Sequence, residues 1–218
     1  MKSIVTVLAA APSYDLTTLA TAREELGAKR KDDDKLRRWI TVASAGVVDY
    51  LGRPLALETV AEIFRPPGGT YRGGGSLDHP RDADVLRLSR HPVASIVSVV
   101  IDGTALDPAS DWELDAEPAL LYRVGPFGIR AGWYGAVIAV TYAAGYALPD
   151  DLPRPIGQAC LLLLRHRWMT GDRDPTIRAE NVSGVIDTQY WVGGMPGENA
   201  AMPPEAAALL NPYRELRI

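Results

Sequence analysis

Three histidines, His79, His91 and His166, are the side chains of this sequence best suited to act as bases or metal ligands near neutral pH. A zinc site needs such residues at ligand spacing, as in the i, i+4 pair of a metalloprotease helix. Here they fall on a loop, a strand edge and a helix, and no spaced partner accompanies any of them, so no metal site is expected. The lone cysteine, Cys160, sits inside the apolar run from Cys160 to Leu164, where a thiol packs as a small hydrophobe. A reducing compartment fits that usage. The glycine-rich stretch Gly68 to Gly75 has neither dinucleotide-binding spacing nor the lysine of a phosphate loop, and reads as a connector. Carboxylates cluster at Asp32 to Asp34, Glu113 to Glu117 and Asp150 to Asp151. Two of these clusters precede helices, where acid stabilises the positive end of the helix dipole. No Gly-x-Ser-x-Gly elbow appears. The expectation is therefore no catalytic residue, no cofactor and no enzyme.

The chain that must carry whatever function remains has 218 residues, 47% of them hydrophobic and 23% charged, with a formal net charge of −4. At that length roughly 70% of the surface of the unfolded chain can be buried, so a core is available without disulfides. No apolar run approaches the roughly 20 residues that cross a bilayer. The start, MKSIVTVLAAAP, imitates a secretory signal only weakly: one positive charge leads a short apolar stretch broken by Thr6. Without a secretory route the sequon at Asn181 carries no glycan. The negative balance argues against a chain built to grip nucleic acid, though not against DNA as a neighbour.

The elements begin with a helix capped by Asp15, with Leu16, Leu19, Ala22 and Leu26 on one face and Gly27 as its stop. A second helix starts at Asp32 to Asp34, carries the stripe Leu36, Ile40, Ala43, Val47 and Leu51, and ends at Gly52 and Pro54. From Leu57 to Arg65 the period falls to two, as in a strand. Residues 66–84 show neither period; Gly68, Gly69, Tyr71, Arg72, Gly73, Gly74 and Gly75 make this a long mobile loop. Short strands follow at 86–88, 93–101, 111–114, 120–124 and 136–142, with Asp102-Gly103 as a hairpin turn. Residues 148–169 return to helix, burying Ile156, Ala159, Cys160, Leu163, Leu164 and Trp168. Residues 182–192 suggest an isolated strand or hairpin arm, 193–204 a Gly/Pro-rich link and 205–210 a short helix.

The fold class expected is α+β: an antiparallel helical bundle core, an inserted small antiparallel β unit and an extended C-terminal arm. The divisions are 1–56 for an N-terminal segment and helix pair, 57–147 for the β-rich insertion with its loop at 66–84, 148–171 for a third core helix and 172–218 for the arm. The arm's apolar and aromatic residues, Val185, Ile186, Tyr190, Trp191, Leu209, Leu210 and Tyr213, are the candidate interface with a neighbour. The bland alternative folds the segment back onto its own chain.

In chain order stand IVTV, DLTTLATAREELG, DDDKLRRWITVASAGVVDYLGRPL, LRLSRHPVASIVSVVIDG, AVIAVTYAAGYALPDDLPRPIGQACLLLL and MPPEAAALLNPYR. This succession resembles the head-tail connector, or adaptor, proteins of long-tailed phages and of phage-derived gene transfer agents, over nearly the whole chain. The segments at 66–84 and 172–198 depart from the shorter family members. The resemblance implies a homo-oligomeric ring, twelvefold in the family, beneath the portal protein. The opposite face would meet a tail or stopper protein, and DNA would pass the channel without sequence-specific binding. It implies a location in the neck of a virion or phage-like particle assembled in the bacterial cytoplasm, with no membrane partner. A net negative lining fits a genome that must slide, because it offers few phosphate contacts.

Two other readings stand beside it. One is another neck or tail component, a stopper or terminator. The other is a β-type module binding a carbohydrate or peptide, with Trp112, Trp133, Tyr134 and Trp191 as an aromatic platform.

Overall fold

The computed structural model describes residues 3–65, 85–170, 179–182, 186–189 and 202–214. The chain divides into two compact units, the first made of Met1–Pro12 and Leu55–Tyr146, the second of Ser13–Pro54 and Ala147–Ile218.

The first unit is built from antiparallel sheets. Strands β1 (Ser3–Ala9), β2 (Glu58–Phe64), β4 (Val93–Ile101), β5 (Thr104–Ala105) and β9 (Ile138–Ala144) form one sheet in the order β1-β2-β9-β4-β5. Strands β3 (Val85–Arg87), β7 (Leu120–Val124) and β6 (Trp112–Asp115) form a second, with β8 (Arg130–Ala131) paired to β7. The two central strands alternate strictly: Glu58, Val60, Glu62 and Phe64 of β2 are buried, as are Ile138, Val140, Tyr142 and Ala144 of β9. Their register places Val60 opposite Tyr142 and Phe64 opposite Ile138, so inward side chains meet as cross-strand pairs. Leu86, Leu88, Leu121 and Trp133 join them in a single apolar cluster. The indole of Trp133, wholly inside it, donates to the Leu121 carbonyl at 3.1 Å.

Two glycines fix the turns of this unit. Asp102 and Gly103 both have positive φ, 48° and 86°, which is the two-residue hairpin turn that matches strand twist. The Asp102 carboxylate then accepts the amides of Ala136 and Val137 at 2.9 and 2.8 Å. Gly145, at φ 109°, lets the chain leave β9 against its own backbone: the Tyr146 amide donates to the Leu55 carbonyl at 2.7 Å and the Leu57 amide to the Tyr146 carbonyl at 2.9 Å.

The second unit holds α1 (Leu19–Leu26), α2 (Asp33–Leu51), α3 (Arg154–Thr170) and α4 (Pro204–Leu210), together with the paired strands β10 (Ala179–Val182) and β11 (Ile186–Gln189). Helix α2 buries Leu36, Ile40, Ala43, Val47 and Leu51, the stripe its sequence predicts, and Gly52 closes it in the left-handed region. Helix α1 is capped by Thr18, whose hydroxyl accepts the Thr21 amide at 3.1 Å; Asp15 instead accepts the Thr41 hydroxyl. The Trp39 and Trp168 rings meet edge to face between α2 and α3, their centroids 5.9 Å apart, with the Lys35 ammonium 4.6 Å from the Trp39 ring.

The expected helical bundle core is overturned. Among the described residues two antiparallel sheets dominate, and the four helices belong to the other unit. Nor is the β unit a small insertion, since β1 at the N-terminus is a full strand of the larger sheet. The error has a physical cause. Helices declare themselves through local period and caps, whereas β1 acquires its identity only from β2, more than fifty residues away.

Cys160 lies wholly inside the second unit, with its sulfur 3.8 Å from the Ser44 hydroxyl. Burial pushes the thiol up to about 11 from 9.0; the Ser44 hydrogen bond opposes this and the charge of Asp15 adds to it. A raised folded value leaves this contribution intact below pH 9.0 and removes it as pH climbs towards about 11. The loss amounts to about 3 kcal/mol at most. Urea midpoints measured across that interval should fall, and the fall should flatten in a Cys160→Ala variant. The Tyr142 phenol, also driven upward by burial, adds a further loss above pH 10.0.

Candidate functional site

The densest polar cluster among the described residues surrounds Glu62, on the inward face of β2 and fully buried. Its carboxylate accepts the Tyr142 hydroxyl at 2.6 Å, the Ser89 amide at 2.9 Å, and the hydroxyls of Ser3 and Ser89 at 2.5 Å each. Arg90 stands beside it, 3.8 Å from the buried Glu58 carboxylate, and its amide donates to the Tyr142 oxygen at 3.2 Å. Four donors occupy the acceptor capacity of one carboxylate. A general base needs a free lone pair facing a substrate, and Glu62 has neither the lone pair nor the solvent path. Tyr142 is held in its neutral form by burial and by the neighbouring Glu62 charge. The cluster works as a polar pin that fastens β1, β2, β9 and the β3–β4 connection together.

The other chemical candidates stay apart. His91 and His166 lie in different units, and His79 falls outside the described residues. Among the described residues no group of three His, Cys, Asp or Glu side chains could hold a metal ion. Asp111 accepts the Asp107 amide at 2.9 Å, which, with Arg123 3.4 Å away, holds its carboxyl below the usual range. Both contacts tie a turn together. The aromatic platform is not assembled either: Trp133 is core, Trp112 packs partly against that core, Tyr134 is half exposed, and Trp191 lies outside the described residues.

What the fold does display is apolar surface. Along β1, Ile4 is 61% and Leu8 59% exposed, with Val7 also open; on β4, Val97 is 65% exposed. Between β7 and β8 the sequence Pro126-Phe127-Gly128 lifts Phe127 into solvent, 99% exposed and at φ 64°. A bulky residue in the left-handed region costs roughly 1–2 kcal/mol. Ile129 and Tyr134 are exposed nearby in sequence. Strained backbone displaying an aromatic side chain is the geometry of an anchor rather than of a core residue. Except for Tyr134, these positions were not among the sequence candidates, although the β-branched run IVTV and the Pro-Phe-Gly turn both carry a signal.

The arm candidates divide. Val185, Tyr190 and Trp191 lie outside the described residues, as does the loop containing Gly68, Gly69, Tyr71, Arg72, Gly73, Gly74 and Gly75. Ile186 opens β11, which pairs antiparallel with β10. The final helix is not free: Met202, Ala206 and Leu210 are buried, α4 packs on α3, and Tyr50 donates to the Asn211 side chain at 2.8 Å. Leu210 is buried within its own chain, while Leu209 and Tyr213 are half-buried.

No protein-family model matches the chain, and no curated protein does. Solved structures do match in fold. A chain from the "Neck of empty GTA particle computed with C6 symmetry" aligns over 99% of this chain and 97% of its own, with a TM-score of 0.57 at 17% identity. A chain from the "Neck of native GTA particle computed with C12 symmetry" aligns equally widely, at 0.56 and 17%. A chain from the "Virion of native gene transfer agent (GTA) particle" gives 0.56 and 18%.

Proposed function

We propose that this protein is a structural subunit of the neck of a phage-like particle, repeated as a ring between the DNA-filled head and the tail. The observation that carries this reading is the end-to-end correspondence of fold with chains of gene transfer agent necks, at 99% coverage. Both units and the order of their elements enter that correspondence, which a shared single motif would not produce. The displayed apolar surface supports it, since exposed Ile4, Leu8, Val97 and Phe127 on one unit ask for protein partners. The buried carboxylate of Glu62 is fully occupied by its own donors and offers no competing chemistry.

In this reading the subunit is the adaptor itself: one face meets the portal protein, the other a tail or stopper protein, and DNA passes through the centre. Val185, Ile186, Tyr190 and Trp191, with Leu209 and Tyr213, are proposed to meet the portal or an adjacent subunit. The net charge of −4 suits a surface past which DNA must slide.

Purified protein viewed by negative-stain microscopy and weighed by native mass spectrometry should give closed rings. Deleting its gene from a producing host should leave filled or leaking heads without tails. Monomers with affinity for a sugar, or a deletion host that still completes tailed particles, would remove the reading.

A further inference from the structure

We infer that β1 and the part of β4 that β5 leaves uncovered are complementary halves of one subunit contact, so that β1 of each copy pairs with β4 of the next. The inference rests on the ring reading and deepens it by naming the surface through which copies join.

The first observation is strand parity. Every adjacent pair in the order β1-β2-β9-β4 is antiparallel, so β1 and β9 run one way, and β2 and β4 the other. Strands β1 and β4 therefore oppose each other in direction. A copy carried round a ring keeps its sense about the axis, and its β1 would arrive antiparallel to the β4 it meets. An odd number of strands would instead have forced the less stable parallel ladder.

The second observation is composition. Exposed edges of natural sheets are blunted with lysine, proline, inward charge or β-bulges to prevent pairing with other chains; β1 has one register shift, between Val7 and Ala9, and β4 two, between Val93 and Ser95 and between Ile96 and Ser98, but neither edge carries charge. Here β1 reads Ser-Ile-Val-Thr-Val-Leu-Ala and β4 reads Val-Ala-Ser-Ile-Val-Ser-Val-Val-Ile, with no charged residue in either. Both display apolar side chains, Ile4 and Leu8 on the one and Val97 on the other. Among the described residues no strand pairs with the outer side of β1, and β5 covers only Val100 and Ile101 of β4. At its other end the Val93 amide donates to the Ala116 carbonyl, leaving residues 94–98 as the open stretch.

The third is geometry of assembly. Two different edges meeting head to tail make a heterologous contact, the kind that closes into a ring when the rotation allows. Chains of this fold occur in necks resolved with C6 and C12 symmetry. A self-paired β1 edge would give a twofold dimer and stop there.

The test uses the full-length chain with Thr6→Cys and Ser95→Cys combined. Within one copy Thr6 stands in register with Ser98, three strand spacings or about 14 Å across the sheet, and Ser95 lies farther along β4, too far for a disulfide. The native Cys160 is buried. Oxidation should give a ladder of covalent multimers on non-reducing gels, whereas either single variant, whose cysteine faces no second one, should stay monomeric. A Thr6→Lys variant should keep its circular dichroism and thermal midpoint yet lose the rings. Rings that form without a ladder and survive Thr6→Lys would overturn edge pairing and leave the ring reading standing. A native chain that stays monomeric at all concentrations, with no ladder, would overturn both.

Discussion

Replacing Gly145 by alanine should unfold the sheet-bearing unit at temperatures where the native protein is intact. At φ 109° an L residue is strained before any neighbour is considered. The added methyl would also lie 2.6 Å from the Ala56 carbonyl carbon and 2.8 Å from the Leu55 oxygen, and closer still to the Ala56 oxygen. These are backbone atoms, which cannot swing aside as a flexible side chain can. They are held by the Tyr146 to Leu55 and Leu57 to Tyr146 hydrogen bonds, so relief would require breaking the bridge that joins the start of β2 to the end of β9. The combined cost is on the order of 3–5 kcal/mol, a large share of a domain's 5–15 kcal/mol. Gly103→Ala is the matched control: its φ is 86°, but nothing lies within 4 Å of the new methyl. It should lose only about 1 kcal/mol, from backbone strain. Thermal melts followed by circular dichroism should show a drop of more than about 10 °C for Gly145→Ala and a few degrees for Gly103→Ala. Equal, small shifts in both would mean that the close approach at Gly145 is not a feature of the folded protein.

Much of the second unit was legible because its signals are local. The α2 stripe from Leu36 to Leu51 and the glycine stop at 52 can be read within one helix, and all five stripe residues are buried. The strands at 120–124 and 93–101 and the Asp102-Gly103 turn were readable for the same reason. The Glu62 cluster was not. Glu58 and Glu62 occupy two of the four inward positions of β2, so the apolar alternation that marks an inward face is broken where it matters most. Their compensation arrives from far along the chain: Ser3 is 59 residues away, Ser89 is 27 and Tyr142 is 80. A sequence shows the burial cost of such a carboxylate but not the donors that offset it. The final helix is a similar case. Seven residues after a proline look like a free docking element, and only the face of α3 explains why Ala206 and Leu210 are buried. Phe127 lay hidden for the opposite reason, because a sequence pattern assigns a phenylalanine to the core by default, whereas the left-handed backbone here turns it outward.

Ile40→Asp should abolish the fold of the helical unit, while Val42→Asp, two residues further along the same helix, should not. Ile40 is 2% exposed in the middle of the stripe formed by Leu36, Ala43 and Val47, and α2 packs there against α1 and α3. An aspartate at this position must either remain charged in an apolar interior or take up a proton. Either outcome costs several kcal/mol and also forfeits the packing of the lost isoleucine. Val42 is 49% exposed, so the same carboxylate there stays hydrated and should shift stability by no more than about 0.5 kcal/mol. Hydrogen exchange read by mass spectrometry separates the two units directly. In Ile40→Asp, the amides of α2 and α3 should exchange at unfolded rates, and the peptides covering β2 and β9 report whether the sheet unit keeps its own stability. The two units have separate cores, an apolar cluster around Tyr142 and Trp133 in one and the α2 stripe with Cys160 in the other. Protection of the β2 and β9 amides should therefore outlast that of the helices. Full protection of α2 in Ile40→Asp would mean that this stripe does not face a packed interior. Simultaneous loss in both units would instead mean that they fold as one cooperative body.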